Sequence, residues 1–158
     1  MNIAIIGATG NVGRKTLEVL EKKEISIDNL YLVASPKSAG KKIKFLGKEI
    51  EVHNLENFDF SKVRIAFFAA GGKISEKFAE KAAKYCLVID NSSFYRMDPD
   101  VPLVVPQVNP NDLNNIKKNI IANPNCSTAQ LVIALKPLHD QFIIKRVVVS
   151  TYQSVSGA

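Results

Sequence analysis

The sequence predicts an α/β domain built on a doubly wound, mostly parallel sheet of Rossmann type. Three observations carry that expectation. Short aliphatic runs alternate with amphipathic stretches, a glycine-rich turn joins the first run to the first amphipathic stretch, and a long proline-rich segment follows the end of a later run.

With 158 residues the chain holds one core-bearing domain and is short for two. Hydrophobic residues make up 46% of it, and no polar or low-complexity tract interrupts them. The formal charge of +6 suits an anionic partner, but the 21 Lys and Arg are scattered with little aromatic interleaving, which speaks against nucleic acid. No apolar run approaches the ~20 residues of a membrane span. The start, Met1-Asn2-Ile3-Ala4-Ile5-Ile6-Gly7, lacks the charged head and cleavage site of a secretory signal, so a cytoplasmic location is expected. Cys86 and Cys126 are too few for a disulfide framework and lack metal-ligand spacing, so no metal site is expected.

Taken in order, strands are expected at 3–6, 30–34, 64–69, 87–90, 119–122 and 145–153. Val12, Thr16, Val19 and Leu20 fall on one face of a helix after the first strand, and Ile74, Phe78 and Ala82 do so after the third. Ile43-Lys44-Phe45 and Glu49-Ile50-Glu51-Val52 flank Gly47-Lys48 as a local hairpin. Between Asn91 and Pro110, prolines at 99, 102, 106 and 110 predict an irregular loop with at most short extended pieces. Residues 1–140 then form a nucleotide-binding domain. Only five residues follow 145–153, too few to cover a strand there, so residues 141–158 are expected to begin a second, α+β domain that is truncated in this chain.

Gly7-Ala8-Thr9-Gly10-Asn11-Val12-Gly13 follows the first strand and opens a helix. Glycines allow a tight turn and close approach of backbone to a pyrophosphate, and the helix start offers free N–H groups at its positive end. An NAD enzyme carries an acid after the second strand to hold the ribose 2′-hydroxyl. Here that stretch reads Ala34-Ser35-Pro36-Lys37-Ser38-Ala39-Gly40, with hydroxyls and an ammonium but no carboxylate, which favours the 2′-phosphate of NADP. Ala69-Ala70-Gly71-Gly72 places small residues where a cofactor crosses the sheet edge, although a plain strand-to-helix turn reads almost the same.

In Asn123-Pro124-Asn125-Cys126-Ser127-Thr128, Asn and Pro are helix-start signals, and Leu131, Val132, Leu135 and Leu138 supply the helical face. Cys126 is thereby placed in a first turn, where the helix dipole and free amides favour a thiolate nucleophile. Cys86, inside Tyr85-Cys86-Leu87-Val88-Ile89, reads as apolar filler. Arg96, in the proline-rich loop, has the fork that binds carboxylate or phosphate. His53 belongs to the hairpin, and His139 lies about three helical turns beyond Cys126, so neither reads as catalytic.

Seven segments together resemble bacterial aspartate-semialdehyde dehydrogenases. They lie at 7–13, 34–40, 70–72, 90–93 (Asp-Asn-Ser-Ser), 96–106 (Arg-Met-Asp-Pro-Asp-Val-Pro-Leu-Val-Val-Pro), 123–128 and 150–158 (Ser-Thr-Tyr-Gln-Ser-Val-Ser-Gly-Ala). The resemblance implies that Cys126 attacks the acyl carbon of L-aspartyl 4-phosphate, phosphate leaves, and NADPH reduces the thioester to the semialdehyde, a step in lysine, methionine, threonine and diaminopimelate biosynthesis. It also implies contacts of Gly7, Thr9, Gly10, Asn11, Val12 and Gly13 with the NADP phosphates and of Ser35 and Ser38 with its 2′-phosphate. Gly71, Ser156 and Gly157 would line the rest of the cofactor. Asn91 and Arg96 would hold the substrate, Arg96 by its phosphate, and Gln153 would orient the acyl group.

Phe94-Tyr95 departs from the Ala-Phe common in such proteins. The acid/base histidine, a carboxylate-binding arginine and most of the dimer-forming domain are expected beyond Ala158, with a homodimer or tetramer for the whole protein and little turnover by this chain alone. The alternatives are an acylglutamyl-phosphate reductase and a non-catalytic NADP-binding or regulatory domain.

Overall fold

The computed structural model describes residues 1–23 and 25–152. Its strands are β1 (Ile3–Ile6), β2 (Leu30–Ala34), β3 (Lys42–Phe45), β4 (Lys48–Asn54), β5 (Ile65–Phe68), β6 (Leu87–Asp90) and β7 (Ile120–Ala122). The helices are α1 (Asn11–Lys22), α2 (Gly72–Ala83) and α3 (Cys126–Phe142). The strands make one seven-stranded sheet in the order β3-β4-β2-β1-β5-β6-β7, parallel except for the β3–β4 hairpin. This is a doubly wound sheet, as expected, with its direction of progression reversing at β1.

β1 is Ile-Ala-Ile-Ile, and every residue is buried, as a central parallel strand with both faces covered requires. Its register against β5, Ile3 opposite Ile65 through Ile6 opposite Phe68, brings Gly7 level with Ala69 at the carboxyl edge. The hairpin is not a separate local unit. Val52, His53 and Asn54 pair in parallel with Leu32, Val33 and Ala34, so β4 extends the main sheet. Its turn is Leu46-Gly47, both at positive φ, one residue earlier than the expected Gly47-Lys48. Leu46 N–H donates to Glu21 Oε1 at 2.6 Å, tying the hairpin to α1.

The expected apolar face of α1 is displaced by one residue. Gly13, Leu17 and Leu20 are buried, whereas Val12 and Val19 are 54% and 45% exposed. The reason is Gly13, whose bare Cα lets the helix rest directly on the β1–α1 turn. A pattern count built on apolar side chains does not register such a contact. On α2, Phe78 and Ala82 are buried as expected and are joined by Ser75, Ala79 and Ala83. The four apolar residues among them meet Ala66, Phe68, Val88, Ile120 and Ala122 in the larger of two core clusters.

The segment between β6 and β7 contains no α-helix. Leu103 bridges Ala122 in parallel, Ala122 N–H donates to the Pro102 carbonyl, and Val104 N–H donates to that of Ala122. These extended residues cover the β7 edge, and Val101, Val104 and Val105 enter the core.

The strand expected at 145–153 does not form over residues 145–152, which are exposed and lie in no strand; Gln153 lies outside the described residues. A strand is held by its ladder, and none of the described residues pairs with this segment, so its β-branched composition alone does not make it a strand. α3 has no fully buried residue: Leu131, Val132 and Leu135 are half-buried and Leu138 is exposed. Among the described residues, no helix is long and apolar enough to cross a membrane.

Candidate active site

At the carboxyl ends of β1, β2 and β5 the chain leaves a cleft of about 260 Å³. Gly7, Thr9 and Gly10 form one wall, Ser35 the second and Ala70 the third, with Leu55 and Ile74 as further apolar lining. Gly7 stands at φ +86°, and a Cβ there would lie 2.6 Å from the Ala69 carbonyl oxygen, so only glycine permits this crossing of the two loops. Gly13 is required for a different reason: a Cβ would come within 2.2 Å of the Gly7 carbonyl oxygen.

Gly10 caps α1 without a side-chain hydrogen bond, so the amides of Asn11, Val12 and Gly13 open the helix unsatisfied by any side chain. Thr9 Oγ1 donates to Ser38 Oγ at 3.5 Å, which joins the glycine loop to the 3-10 turn Pro36–Ser38 and brings together the two cofactor segments read from the sequence. Lys37 is exposed in that turn. Gly71 caps α2, and a Cβ added to it would meet nothing within 4 Å, so its position faces open space.

These features fit a dinucleotide. Bare amides at a helix start suit a pyrophosphate, and an apolar cleft between strand ends suits an adenine ring. Leu55 and Ile74 were not found from the sequence. Leu55 follows β4, whose pairing with β2 could not be read from a local hairpin pattern, and Ile74 read only as a core position of α2.

The second half of the site forms around the Asn123–Cys126 turn. Cys126 is the first residue of α3 and is exposed. Asn125 caps the helix, accepting from Ser127 N–H at 3.0 Å and Ser127 Oγ at 2.8 Å, and the Cys126 thiol points at the same carboxamide oxygen at 3.6 Å. Cys126, Ser127, Gln130 and Leu131 line an open cleft of about 460 Å³ together with Val149, Thr151 and Tyr152. Cys86 is the opposite case: it is buried, donates to the Ala82 carbonyl at 3.3 Å, and burial pushes its thiol pKa up to about 11.

Arg96 is brought to the same turn. Its Nε donates to the Asn123 carbonyl at 3.0 Å and its Nη2 to the Asn91 carbonyl at 3.1 Å. Asn123 Nδ2 in turn donates to Asn91 Oδ1 at 2.9 Å. Asn91, Arg96 and the approach to Cys126 are thus one hydrogen-bonded unit. A guanidinium has five N–H groups, so the Nη1 pair and one Nη2 hydrogen stay available to an anion.

Neither histidine joins this unit: His53 lies on β4 against Tyr31 and Phe58, and His139 is near the far end of α3. Gln153, Ser156 and Gly157 lie outside the described residues.

Comparison with known proteins matches residues 2–116 to the family described as semialdehyde dehydrogenase, NAD binding domain. The aspartate-semialdehyde dehydrogenase of Aquifex aeolicus is 59% identical over 99% of this chain and 47% of its own length. The crystal structure of aspartate semialdehyde dehydrogenase II from Vibrio cholerae superposes with a TM-score of 0.95, at 54% identity over 99% of this chain and 47% of that one. That of the Candida albicans enzyme with NADP gives 0.73, at 32% identity over 91% and 48%. The chain spans about half the length of the relatives it matches. It belongs to the semialdehyde dehydrogenase family and carries that family's NAD binding domain.

Proposed function

We propose that this chain provides the nucleotide site and the nucleophile of an NADP-dependent aspartate-semialdehyde dehydrogenase, which converts L-aspartyl 4-phosphate to L-aspartate 4-semialdehyde and inorganic phosphate. The observation that carries the reading is the joining of an exposed Cys126, at a helix start, to the Arg96 clamp through the Asn123 turn. A binding or regulatory module has no use for that pairing of nucleophile and anion receptor. The high identity to named aspartate-semialdehyde dehydrogenases favours the aspartyl over the acylglutamyl substrate.

In this reading the substrate phosphate sits on the free N–H groups of Arg96, beside Asn91. Cys126 sulfur attacks the acyl carbon, and the amides at the start of α3 meet the developing oxyanion. The C–O bond to phosphate breaks and leaves a thioester on Cys126. The nicotinamide, when bound, supplies the hydride for its reduction. Collapse of the resulting tetrahedral centre breaks the C–S bond, releases the aldehyde and returns the Cys126 sulfur.

Gly7 and Thr9 through Gly13 would cradle the pyrophosphate, and Ser35, Lys37 and Ser38 the 2′-phosphate, with Gly71 along the cofactor edge. Gln153 is assigned to orienting the acyl group, and Ser156 and Gly157 to the nicotinamide side, by resemblance. The whole protein is proposed to be a cytoplasmic homodimer or tetramer.

The test is phosphate-dependent oxidation of aspartate 4-semialdehyde by the full-length protein, followed as NADPH absorbance. Cys126→Ala is expected to lower the rate by more than ~10³-fold, while Cys86→Ala retains it. Turnover by Cys126→Ala within tenfold of the wild type, or oxidation indifferent to phosphate, would overturn the proposal.

A further inference from the structure

Asp90 has a fully buried side chain that, among the described residues, forms no salt bridge, an expensive arrangement unless its oxygens are met by donors. Three donors converge on it. Ser75 Oγ, from α2, reaches Oδ1 at 2.7 Å, Ser92 N–H reaches Oδ1 at 3.0 Å, and Ser92 Oγ reaches Oδ2 at 2.7 Å. The Ser92 hydroxyl is also an acceptor, taking the Phe94 N–H at 3.1 Å.

The carboxylate therefore fixes the first three steps of the loop that carries Arg96. Its own backbone fixes the other side, since the Asp90 carbonyl accepts the Asn123 N–H at 2.8 Å, immediately before the Cys126 turn. The buried Tyr95, packed edge-on against Phe94 at 4.8 Å, seats the loop from below. Both carbonyls that orient the guanidinium, those of Asn91 and Asn123, lie one hydrogen bond or one peptide from Asp90.

We infer that Asp90 and Ser92 are positioning residues for the anion site: they hold the loop so that the free donors of Arg96 converge on one phosphate. This rests on the assignment of Arg96 to the substrate phosphate. An Asn at 90 keeps an acceptor for Ser75 Oγ and the Ser92 N–H and reverses the second contact, its Nδ2 donating to Ser92 Oγ, so Asp90→Asn replaces charge-assisted hydrogen bonds with weaker neutral ones. Ser92→Ala removes two, those to Asp90 Oδ2 and from Phe94 N–H, and Ser92→Thr restores the hydroxyl.

The experiment measures the KM for phosphate, the KM for NADP and the alkylation rate of Cys126 in the full-length protein carrying Ser92→Ala, Ser92→Thr, Asp90→Asn or Arg96→Ala. Ser92→Ala is expected to raise the KM for phosphate about tenfold, the effect of about one to two hydrogen bonds. Asp90→Asn should raise it less, Ser92→Thr should recover most of the loss, and the KM for NADP and the thiol reactivity should stay as they were.

If Arg96→Ala raises the KM for phosphate and neither Ser92→Ala nor Asp90→Asn does, the positioning role is refuted while the Arg96 assignment stands. Should Arg96→Ala leave that KM unchanged, both fall. A rise of both KM values in parallel with a fall in melting temperature would also overturn the inference, because it reports only a loosened fold.

Discussion

Replacing Gly13 by Ala separates what local propensity predicts from what the fold predicts. In an exposed helix interior the change stabilises by about 1 kcal/mol, because Ala restricts the unfolded chain and is the better helix former. Gly13 is buried in α1, however, and the new Cβ would lie 2.2 Å from the Gly7 carbonyl oxygen and 2.8 Å from the Ala8 Cα, both main-chain atoms with no rotamer to yield. Reaching an ordinary contact of 3.4 Å requires α1 to move off the glycine loop by about 1 Å. With two main-chain atoms in the way, overpacking falls in the upper part of its ~1–3 kcal/mol range and exceeds the propensity gain by about 1–2 kcal/mol, so Tm should fall by about 2–8 °C.

The same shift carries the amides of Asn11 and Val12 away from a bound pyrophosphate. Losing one charge-assisted hydrogen bond, about 1.5–3 kcal/mol, weakens NADP binding at least tenfold. Thermal melting with calorimetric titration of the cofactor reads both quantities. A variant with raised Tm and unaltered affinity would refute the close contact of α1 with the β1–α1 turn.

Four further outcomes are expected. Iodoacetamide should label Cys126 rapidly and leave Cys86 untouched in the folded protein; equal, slow labelling of both would contradict the exposed helix-start position of Cys126. Burial raises the Cys86 thiol from 9.0 to about 11, so its contribution to stability is complete below the unfolded value and is lost as pH rises through the folded one. Cys86→Ala should flatten the fall in Tm across that window.

Asp98 is held below the usual carboxylate range, first by its hydrogen bond to Lys118 and then by the Asp100 N–H; its contribution is present above that range and disappears as pH falls through the lowered value. Asp98→Asn should therefore lower Tm at neutral pH and match the wild type in acid. Ser38→Asp should reverse the proposed preference for NADP over NAD, because the carboxylate repels a 2′-phosphate and accepts from a 2′-hydroxyl; unchanged preference would remove Ser38 from that subsite.

The sheet was legible because β1, β5 and β6 are buried runs closed by turn residues, and their order follows from connection rules that act on any βαβ chain. Pairing partners are another matter. That Val52 lies beside Leu32 depends on a contact across 20 residues that no local pattern encodes, and with it Leu55 was missed as lining of the cleft at the strand ends. Cys126 and the glycine loop could be found because start signals and glycines mark backbone geometry directly. Arg96 was singled out for its chemistry, but its clamp on the carbonyls of Asn91 and Asn123 belongs to tertiary structure. Asp90 read simply as the end of a strand, since nothing in a sequence tells a buried carboxylate from an exposed one. The segment 145–152 lies in no strand here, because β-branched composition reports suitability for a sheet and a strand also needs a neighbour, which none of the described residues supplies.

The most direct test of Cys126 as the acyl carrier is peptide mass spectrometry of the full-length protein after incubation with aspartate 4-semialdehyde and NADP in phosphate-free buffer. Without the acceptor the thioester cannot be discharged to phosphate, so the peptide bearing Cys126 should gain the mass of the β-aspartyl group, that bearing Cys86 should not, and added phosphate should remove the adduct. An adduct on any other residue, or no acyl mass on Cys126 in phosphate-free buffer from protein that forms NADPH once phosphate is added, would contradict it.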